Sequence, residues 1–311
     1  MNHSPSVSIV IPSYNMCWCI ERAVRSCQSQ TVRAQAIIIV DDASTDDTEA
    51  VVRSLATNDA RIKYFRKTTN EGHLLALSCG VHLATSEWVV LLDADDELTC
   101  SSVQSRLTAA SDCLEDTGTL PQLVYGDLLS EPSGTTTTFK RLSGYIYPFV
   151  SKELCLCQTS TIMLGQEALS SFPASRNPYC TDDEIVLAIS KHYHVLHCRQ
   201  VVAIYHMHNS MTRMSNNRKK CFQGVYELVR DHQSEILQEH GMPCLLRWYL
   251  RILKALCDYQ LGLANEVLSR TRCSLKDRLQ HSLFRIYRKG LSATHAMLNT
   301  YLTKHFQLNY F

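Results

Sequence analysis

Two aspartates that could take part in catalysis or metal binding, Asp93 and Asp95, follow an apolar run and are separated by a single residue. In an extended backbone, side chains two residues apart point to the same side. Two carboxylates placed together need a counter-cation, and oxygen ligands suit a hard divalent ion such as Mg²⁺ or Mn²⁺. Such an ion commonly bridges a diphosphate and stabilises the charge of a departing phosphate. A D-x-D triplet by itself is also typical of a solvated acidic turn.

Three more polar segments follow apolar runs in the same way: residues 12–15 (PSYN), 41–46 (DDASTD) and 70–72 (NEG). A carboxylate of Asp41 or Asp42 can accept a hydrogen bond from a pyrimidine imide or a ribose hydroxyl. Tyr14 offers a ring on which a base can stack. Asp, Ser and Thr after a strand are also common in turns and helix caps, so this acidic segment alone is ambiguous.

Short β-rich runs alternate with helix-like stretches over the first hundred residues, which predicts a parallel sheet with helices on both faces. Ligands of such sheets bind beyond the carboxyl ends of the strands, where the four polar segments lie. The predicted strands are Val7–Ile11, Ala36–Val40, Ile62–Phe65 and Trp88–Leu92, and the predicted helices are Ile20–Gln28, Thr48–Leu55 and His73–Ala84.

The pattern becomes mixed after residue 120 and then helical. We predict strands at Leu123–Tyr125 and Ser160–Leu164, an exposed strand or loop at Thr135–Lys140, a helix at Asp182–His192 and an extended segment at Val195–Tyr205. From residue 217 onward nearly everything is predicted to be helical, with a break at residues 241–243 (GMP).

The composition is that of an ordinary globular protein, with 311 residues of which 45% are hydrophobic. This excludes collagen-like, disordered and low-complexity classes. The longest apolar runs fall far short of the roughly 20 residues of a membrane-spanning helix, and the N-terminus has no secretory pattern. We therefore expect a cytoplasmic protein, in which the 14 cysteines are free thiols. The cysteine spacing typical of structural zinc sites is missing from the sequence.

Charge divides the chain into two predicted domains. Residues 1–214 carry a net charge of −7, and residues 215–311 carry +8. Within the second domain, LLRWYLRILKAL (245–256) is a basic amphipathic stretch. It fits either peripheral contact with the anionic inner face of the membrane or a helical cap on the first domain. The charge comes with no RNA-binding motif, so we expect no nucleic-acid partner.

Four segments together resemble the successive motifs of family 2 glycosyltransferases: SIVIPSYN (8–15), VDDASTDDT (40–48), NEG (70–72) and LLDADD (91–96). These are inverting enzymes that have the GT-A fold and use nucleotide sugars. The resemblance covers about residues 1–100 and is looser over 120–214. It implies an α/β, Rossmann-like and mostly parallel sheet flanked by helices, which this chain continues with a C-terminal helical extension.

The resemblance also implies a nucleotide site at the strand ends. Asp42 would accept from the uracil ring, Tyr14 would flank that base, and Pro12 would shape the turn beneath the nucleoside. Asn70 of the NEG motif belongs to the same site. Asp93 would face the ribose or the water shell of the metal.

The metal and acceptor ends of the site follow from the same resemblance. Asp95 would be the direct ligand of Mn²⁺ or Mg²⁺, with Asp93 beside it and Asp96 a weaker candidate for the metal or the sugar. His208, in a segment similar to the family's Tyr-Arg-x-His, would reach the diphosphate or complete the metal shell. Gln158 lies where the family often has a polar residue near the acceptor.

An inverting transfer needs a base that takes the proton of the acceptor hydroxyl. In the family this is the Asp of an E-D motif that opens a helix, and TDDEIVLAIS (181–190) is similar to that element. Its apolar positions put Asp182 at the base position, with Asp183 as the alternative. Simple N-capping of the helix is the other interpretation. Where the family often has Arg-Asn, this chain has Leu77-Ser78, so a cationic contact to the diphosphate is missing from that place.

These patterns lead to one functional prediction and two alternatives. The prediction is a metal-dependent hexosyl- or N-acetylhexosaminyl-transferase that moves a sugar from a nucleotide sugar, expected to be a UDP-sugar, to a hydroxyl of a glycan or lipid-linked glycan in cell-surface polysaccharide synthesis. The first alternative is transfer to a polyprenyl phosphate, which needs no strong base because that acceptor is already anionic. The second is a non-catalytic glycan-binding or scaffold protein with a degenerate site.

Overall fold

The computed structural model of the protein describes residues 5–151, 156–177, 179–207 and 217–269. Contacts within the chain divide it into two units, with the division between residues 216 and 217. Each unit is described by itself.

Ten strands of the first unit's described residues form a single sheet. They are Val7–Ser13 (β1), Ala36–Asp41 (β2), Ile62–Arg66 (β3), Trp88–Leu91 (β4), Glu97–Leu98 (β5), Leu123–Glu131 (β6), Thr135–Thr137 (β7), Ser143–Gly144 (β8), Met163–Gly165 (β9) and Val195–His206 (β10). The helices of this unit are Ile20–Gln28 (α1), Thr48–Asn58 (α2), His73–Leu83 (α3), Ser102–Thr117 (α4), Tyr147–Val150 (α5) and Thr181–Ser190 (α6).

The first four strands form the predicted parallel half of the sheet. β1 pairs in parallel with β2 on one side and with β4 on the other, and β3 pairs in parallel with β2. Every residue of β1 and β4 is buried, which agrees with their nearly continuous apolar sequence. Because the strands are parallel, the residues after β1, β2, β3 and β4 all lie at one edge of the sheet.

The second half of the sheet is mixed. Its strand order continues from β4 through β9, β6 and β10 to β5. β9 is antiparallel to both of its neighbours, whereas β6 and β10 are parallel to each other. The predicted α/β class with a Rossmann-like, mostly parallel sheet is confirmed, with antiparallel strands added in its second half.

The strand predicted at Ser160–Leu164 is only partly correct. Residues Thr159–Thr161 form a turn of 3-10 helix, and the strand begins at Met163. Both the backbone N–H and the hydroxyl of Thr161 donate to the carbonyl of Gln158. This local bonding of a Thr side chain to the backbone competes with the strand ladder, which explains the shift.

α3 packs unusually close to the sheet at Gly80. A Cβ atom there would overlap Cγ1 of Val10 in β1 and would lie 3.1 Å from Cγ2 of Val40 in β2. Glycine is therefore required by the close approach, which holds the first turn of α3 near the carboxyl ends of the strands.

The second unit is helical over its described residues, Arg218–Ser269, which we label α7. Gly241 has φ 73° and ψ 177°, so it separates two helices at the predicted break. Among the described residues, every helix is too short or too polar to cross a bilayer.

Candidate active site

Two of the predicted site residues, Asp42 and Asp93, contact the segment that joins β3 to α3, residues 70–73. Asp42, at the end of β2, accepts hydrogen bonds from the backbone N–H groups of Glu71 (3.0 Å) and Gly72 (2.7 Å). The ammonium of Lys67 lies 3.1 Å from Asp42 Oδ1 and 2.7 Å from Glu71 Oε2. The carboxylate of Asp42 is buried and holds this turn in place.

His73 links that turn to two other elements. Its Nε2–H donates to Asp93 Oδ1 at 2.7 Å, and its Nδ1 lies 3.2 Å from the hydroxyl of Thr181, the first residue of α6. Burial lowers the pKa of His73, but the carboxylate of Asp93 outweighs that effect and the pKa is raised overall. The carboxylates of Asp182 and Asp95 act on the same ring in the same direction.

The D-x-D segment is a turn and not the extended segment predicted from the sequence. The N–H of Asp96 donates to the carbonyl of Asp93 at 3.1 Å, so the two-residue period of a strand does not apply here. Asp93 and Asp95 are partly exposed, whereas Ala94 and Asp96 are buried.

Three hydrogen bonds fix the backbone of this segment. Ser160 Oγ accepts from the N–H of Asp93 at 3.1 Å and donates to Asp96 Oδ2 at 2.7 Å. On the other side, Arg22 Nη2 of α1 donates to the carbonyl of Asp95 at 2.6 Å. Burial and the charges of Asp93 and Asp95 raise the pKa of Asp96 well above its usual range. Asp96 thus supports the segment from inside, and its predicted contact with metal or sugar stays a prediction.

The two candidate bases at the start of α6 differ in their surroundings. Asp182 is partly exposed, and Asp183 is buried with 8% of its surface exposed. Burial, followed by the carboxylates of Asp183 and Asp93, raises the pKa of Asp182 to about 7. A carboxylate with such a pKa is able to accept a proton near neutral pH.

The nucleoside end of the predicted site is formed by the loops after β1 and β2. Asn15 has φ 56° and accepts a hydrogen bond at Oδ1 from the N–H of Thr45 at 2.7 Å, which ties the two loops together. The ring of Tyr14 is 39% exposed beside this contact, whereas Pro12 is buried in β1, opposite Val40. Asn70 is exposed. A stacking role for Tyr14 fits its exposure, and all three nucleotide contacts stay predictions.

The donor chemistry of Asp93 and Asp95 fits a hard divalent ion. Among the described residues, no group of three or more His, Cys, Asp or Glu side chains is arranged to hold a metal. Mg²⁺ sites in nucleotide enzymes commonly use one or two carboxylates and take their other ligands from water and phosphate. Two partly exposed carboxylates in one short turn meet that requirement.

Two further predicted positions have less structural definition. His208 lies outside the described residues. Its neighbour His206, at the end of β10, donates from Nε2 to Glu97 Oε1 at 2.6 Å, and Arg22 Nε lies 3.3 Å from the same oxygen. Gln158 directly precedes the 3-10 turn whose Ser160 bonds to Asp93, and its acceptor contact stays a prediction.

The structure adds His73, Ser160 and Arg22 to the site, and only weak sequence signals indicate these three residues. His73 directly follows the NEG motif and opens a predicted helix, which is a position that can point a side chain into the strand-end region. Ser160 lies in a Thr-Ser-Thr run before an apolar segment, and Arg22 is one of several charged residues on α1.

Comparison with known proteins confirms the predicted family resemblance over part of the chain. Residues 8–150, a little under half of the chain, match the model of glycosyl transferase family 2.

The curated relatives of this chain include two named glycosyltransferases. The chain is 33% identical over 141 residues to the GalNAc(5)-diNAcBac-PP-undecaprenol beta-1,3-glucosyltransferase of Campylobacter jejuni. The aligned segment covers 45% of this chain and 43% of that protein. It is 31% identical over 126 residues to the PGL/p-HBAD biosynthesis glycosyltransferase of Mycobacterium tuberculosis, covering 40% and 48% respectively. The match therefore spans less than half of each relative.

Two solved structures have the same fold as this chain. The S. aureus TarS 1-349 complex with UDP-GlcNAc aligns with a TM-score of 0.55 at 14% identity, covering 94% of this chain and 92% of that one. The mannosyltransferase PcManGT of Pyrobaculum calidifontis, in complex with GDP-Man and Mn²⁺, aligns with a TM-score of 0.54 at 16% identity, covering 99% and 89%. The fold is GT-A, as predicted.

Proposed function

We propose that this protein transfers a hexose or N-acetylhexosamine from a nucleotide sugar, expected to be a UDP-sugar, to a hydroxyl of a glycan or lipid-linked glycan, with inversion at the anomeric carbon. The match to the model of glycosyl transferase family 2 supports the activity class. The name of one relative, a glucosyltransferase named for an undecaprenol-linked glycan, supports an acceptor of this class.

One observation carries the proposal: Asp42 and Asp93, predicted for the nucleotide and the metal, and Thr181, which precedes the predicted base, all contact residues 71–73. Asp42 accepts from Glu71 and Gly72, and Asp93 accepts from His73. The same His73 ring contacts Thr181, the residue before Asp182. Acidic turns that merely faced solvent would have no reason to converge on one short segment from three separate elements.

Asp182 is the proposed base. Its carboxylate takes the proton of the acceptor hydroxyl as the hydroxyl oxygen attacks the anomeric carbon. The new carbon–oxygen bond forms on the face opposite the nucleotide diphosphate, whose bond to the sugar breaks. The pKa of about 7 for Asp182 leaves a large fraction of the side chain ionised at neutral pH while keeping it basic enough for the task.

Asp95 and Asp93 are the proposed ligands of Mn²⁺ or Mg²⁺. When bound, the ion offsets the charge of the diphosphate and stabilises the leaving group. Ser160 and Arg22 hold the backbone of Asp93 and Asp95 in the required position. Support comes from the partial exposure of both carboxylates and from a fold neighbour solved with Mn²⁺.

The nucleotide proposal needs one refinement at Asp42. Both of its oxygens already accept from the N–H groups of Glu71 and Gly72. A uracil imide would therefore share an oxygen with these groups, and the proposed contribution of Asp42 includes shaping the turn beneath the nucleotide. Tyr14 and Asn70, which are exposed, are proposed to contact the nucleotide directly.

A donor screen tests the proposal. The full chain is incubated with Mn²⁺ and a panel of UDP-, GDP- and TDP-sugars, and release of the nucleotide is measured with and without EDTA. Release from at least one donor that EDTA abolishes is expected. No release from any donor, in the presence of lipid-linked and free glycan acceptors, would favour the non-catalytic alternative.

We further propose that the protein acts in the cytoplasm and contacts the inner face of the membrane through the basic residues 215–311. The net charge of +8 on that segment supports the proposal, because anionic lipids attract basic segments. Flotation with liposomes of anionic and of neutral lipid tests it. Flotation with the anionic vesicles alone is expected, and protein that stays at the bottom with both kinds would refute it.

A further inference from the structure

His73 lies in the candidate active site, and the proposed reaction assigns it no role. Its side chain is 19% exposed, and both of its ring nitrogens have a partner on a different element. Asp93 follows β4, and Thr181 begins α6. The imidazole therefore spans the gap between the segment proposed to hold the metal and the helix that carries the proposed base.

The geometry of this bridge does not depend on the protonation state of the ring. In either state the Nε2–H donates to Asp93 Oδ1. The hydroxyl of Thr181 can donate to a bare Nδ1 or accept from an Nδ1–H. Both contacts are therefore retained whichever form is present.

A second contact joins the same two parts of the structure. The guanidinium of Arg176, in the segment before α6, lies 3.7 Å from Glu71 Oε1, and the other carboxylate oxygen of Glu71 lies 2.7 Å from Lys67. Arg176 is 80% exposed, so this pair contributes little by itself. His73 and Thr181 form the buried part of the junction, since Thr181 has only 2% of its surface exposed.

We propose that His73 is a positioning residue: it holds the carboxylate of Asp93 in one orientation and fixes the start of α6, and thus Asp182, relative to that carboxylate. The inference rests on the proposed function. Hydrogen-bond partners of metal-binding side chains typically change metal affinity or activity by about 10–100-fold when they are removed. A loss of this size is expected here.

Three variants and one control test the proposal. His73→Ala removes both contacts, His73→Gln keeps a donor at about the reach of Nε2, and Thr181→Val removes only the hydroxyl. The control is His82→Ala, because His82 lies on the same helix and its Nδ1 contacts only the Ser78 carbonyl of that helix. Affinity for UDP is measured by calorimetry in the presence of Mn²⁺, transfer is measured as kcat and KM, and thermal unfolding confirms that each variant is folded.

The expected results separate the two contacts. His73→Ala weakens Mn²⁺-dependent UDP binding by about 10–100-fold, and His73→Gln restores most of the affinity. Thr181→Val binds UDP as the wild type does but lowers kcat by about three- to tenfold, the usual effect of one lost hydrogen bond. His82→Ala behaves as the wild type in both measurements.

Two results would overturn the inference. A folded His73→Ala variant with the UDP affinity and kcat of the wild type would show that the bridge has no effect on the site. Equal impairment of the Gln and Ala variants would show that the donor to Asp93 is irrelevant. In both cases wild-type activity remains, so the proposed function survives. A wild-type protein that neither binds UDP nor releases a nucleotide would instead refute the proposed function, and the inference with it.

Discussion

Replacement of the proposed base, Asp182→Asn, is the most demanding prediction for the reaction. The amide has nearly the shape of the carboxyl group but accepts no proton at neutral pH. General base catalysis by a positioned side chain commonly contributes about 10²–10⁴-fold, so kcat should fall by at least about 100-fold. UDP affinity with Mn²⁺ should change little, because Asp182 is proposed to face the acceptor and not the nucleotide.

The raised pKa of Asp182 also predicts how strongly kcat/KM depends on pH. Asp182 has a pKa raised to about 7, and only its ionised form works as a base. At one pH unit below its pKa a carboxyl group is about one-tenth ionised, and at one unit above it is about nine-tenths ionised. In the wild type, kcat/KM should therefore rise nearly tenfold from pH 6 to pH 8, and this dependence should vanish in Asp182→Asn.

Asp183→Asn is the matched control, because it makes the same carboxyl-to-amide replacement at the neighbouring residue. It should keep most of the activity. The charge of Asp183 is one cause of the raised pKa of Asp182, so the rise in kcat/KM should move to lower pH. Transfer is measured with a donor identified in the screen. Full turnover by Asp182→Asn would refute the assignment and favour a phosphate acceptor, whereas loss in Asp183→Asn alone would transfer the role to that residue.

Three further predictions concern the metal, the D-x-D segment and the packing of α3. Asp95→Ala should abolish Mn²⁺-dependent UDP binding in calorimetry, and an unchanged Kd would contradict the metal assignment. Ser160→Ala removes the hydroxyl between Asp93 N–H and Asp96 and should lower kcat/KM for the donor by about three- to tenfold, the loss expected from one hydrogen bond. An unaltered kcat/KM would show that this hydroxyl does not position the segment. Gly80→Ala should destabilise the protein by about 1–3 kcal/mol in denaturant unfolding, because the new methyl group overlaps a valine of β1. Equal stability of Gly80→Ala and the neighbouring control Cys79→Ala would show that the helix is free to move away.

The parallel half of the fold could be predicted from the sequence because its signals are local. Apolar runs such as 7–11 and 36–40 are buried on both faces, and the polar residues after them fall at one edge by the geometry of parallel strands. These features need no information about distant residues.

The remaining site features depend on partners far away in the chain. His73 is 20 residues from Asp93 and 108 from Thr181, and Ser160 is 67 residues from Asp93. No local pattern indicates such pairs. Residues 160 and 161 of the 3-10 turn lie within the strand predicted at Ser160–Leu164, but the hydroxyl of Thr161 bonds to the backbone and bends the chain.

A crystal structure of the full chain with UDP and Mn²⁺, with the anomalous signal of manganese recorded, tests the central claim most directly. We expect the manganese peak within bonding distance of the Asp95 carboxylate and the diphosphate, with uracil beside Tyr14. The carboxylate of Asp182 should face the open side of the diphosphate. A manganese peak away from Asp95, or UDP bound at another edge of the sheet, would contradict the account.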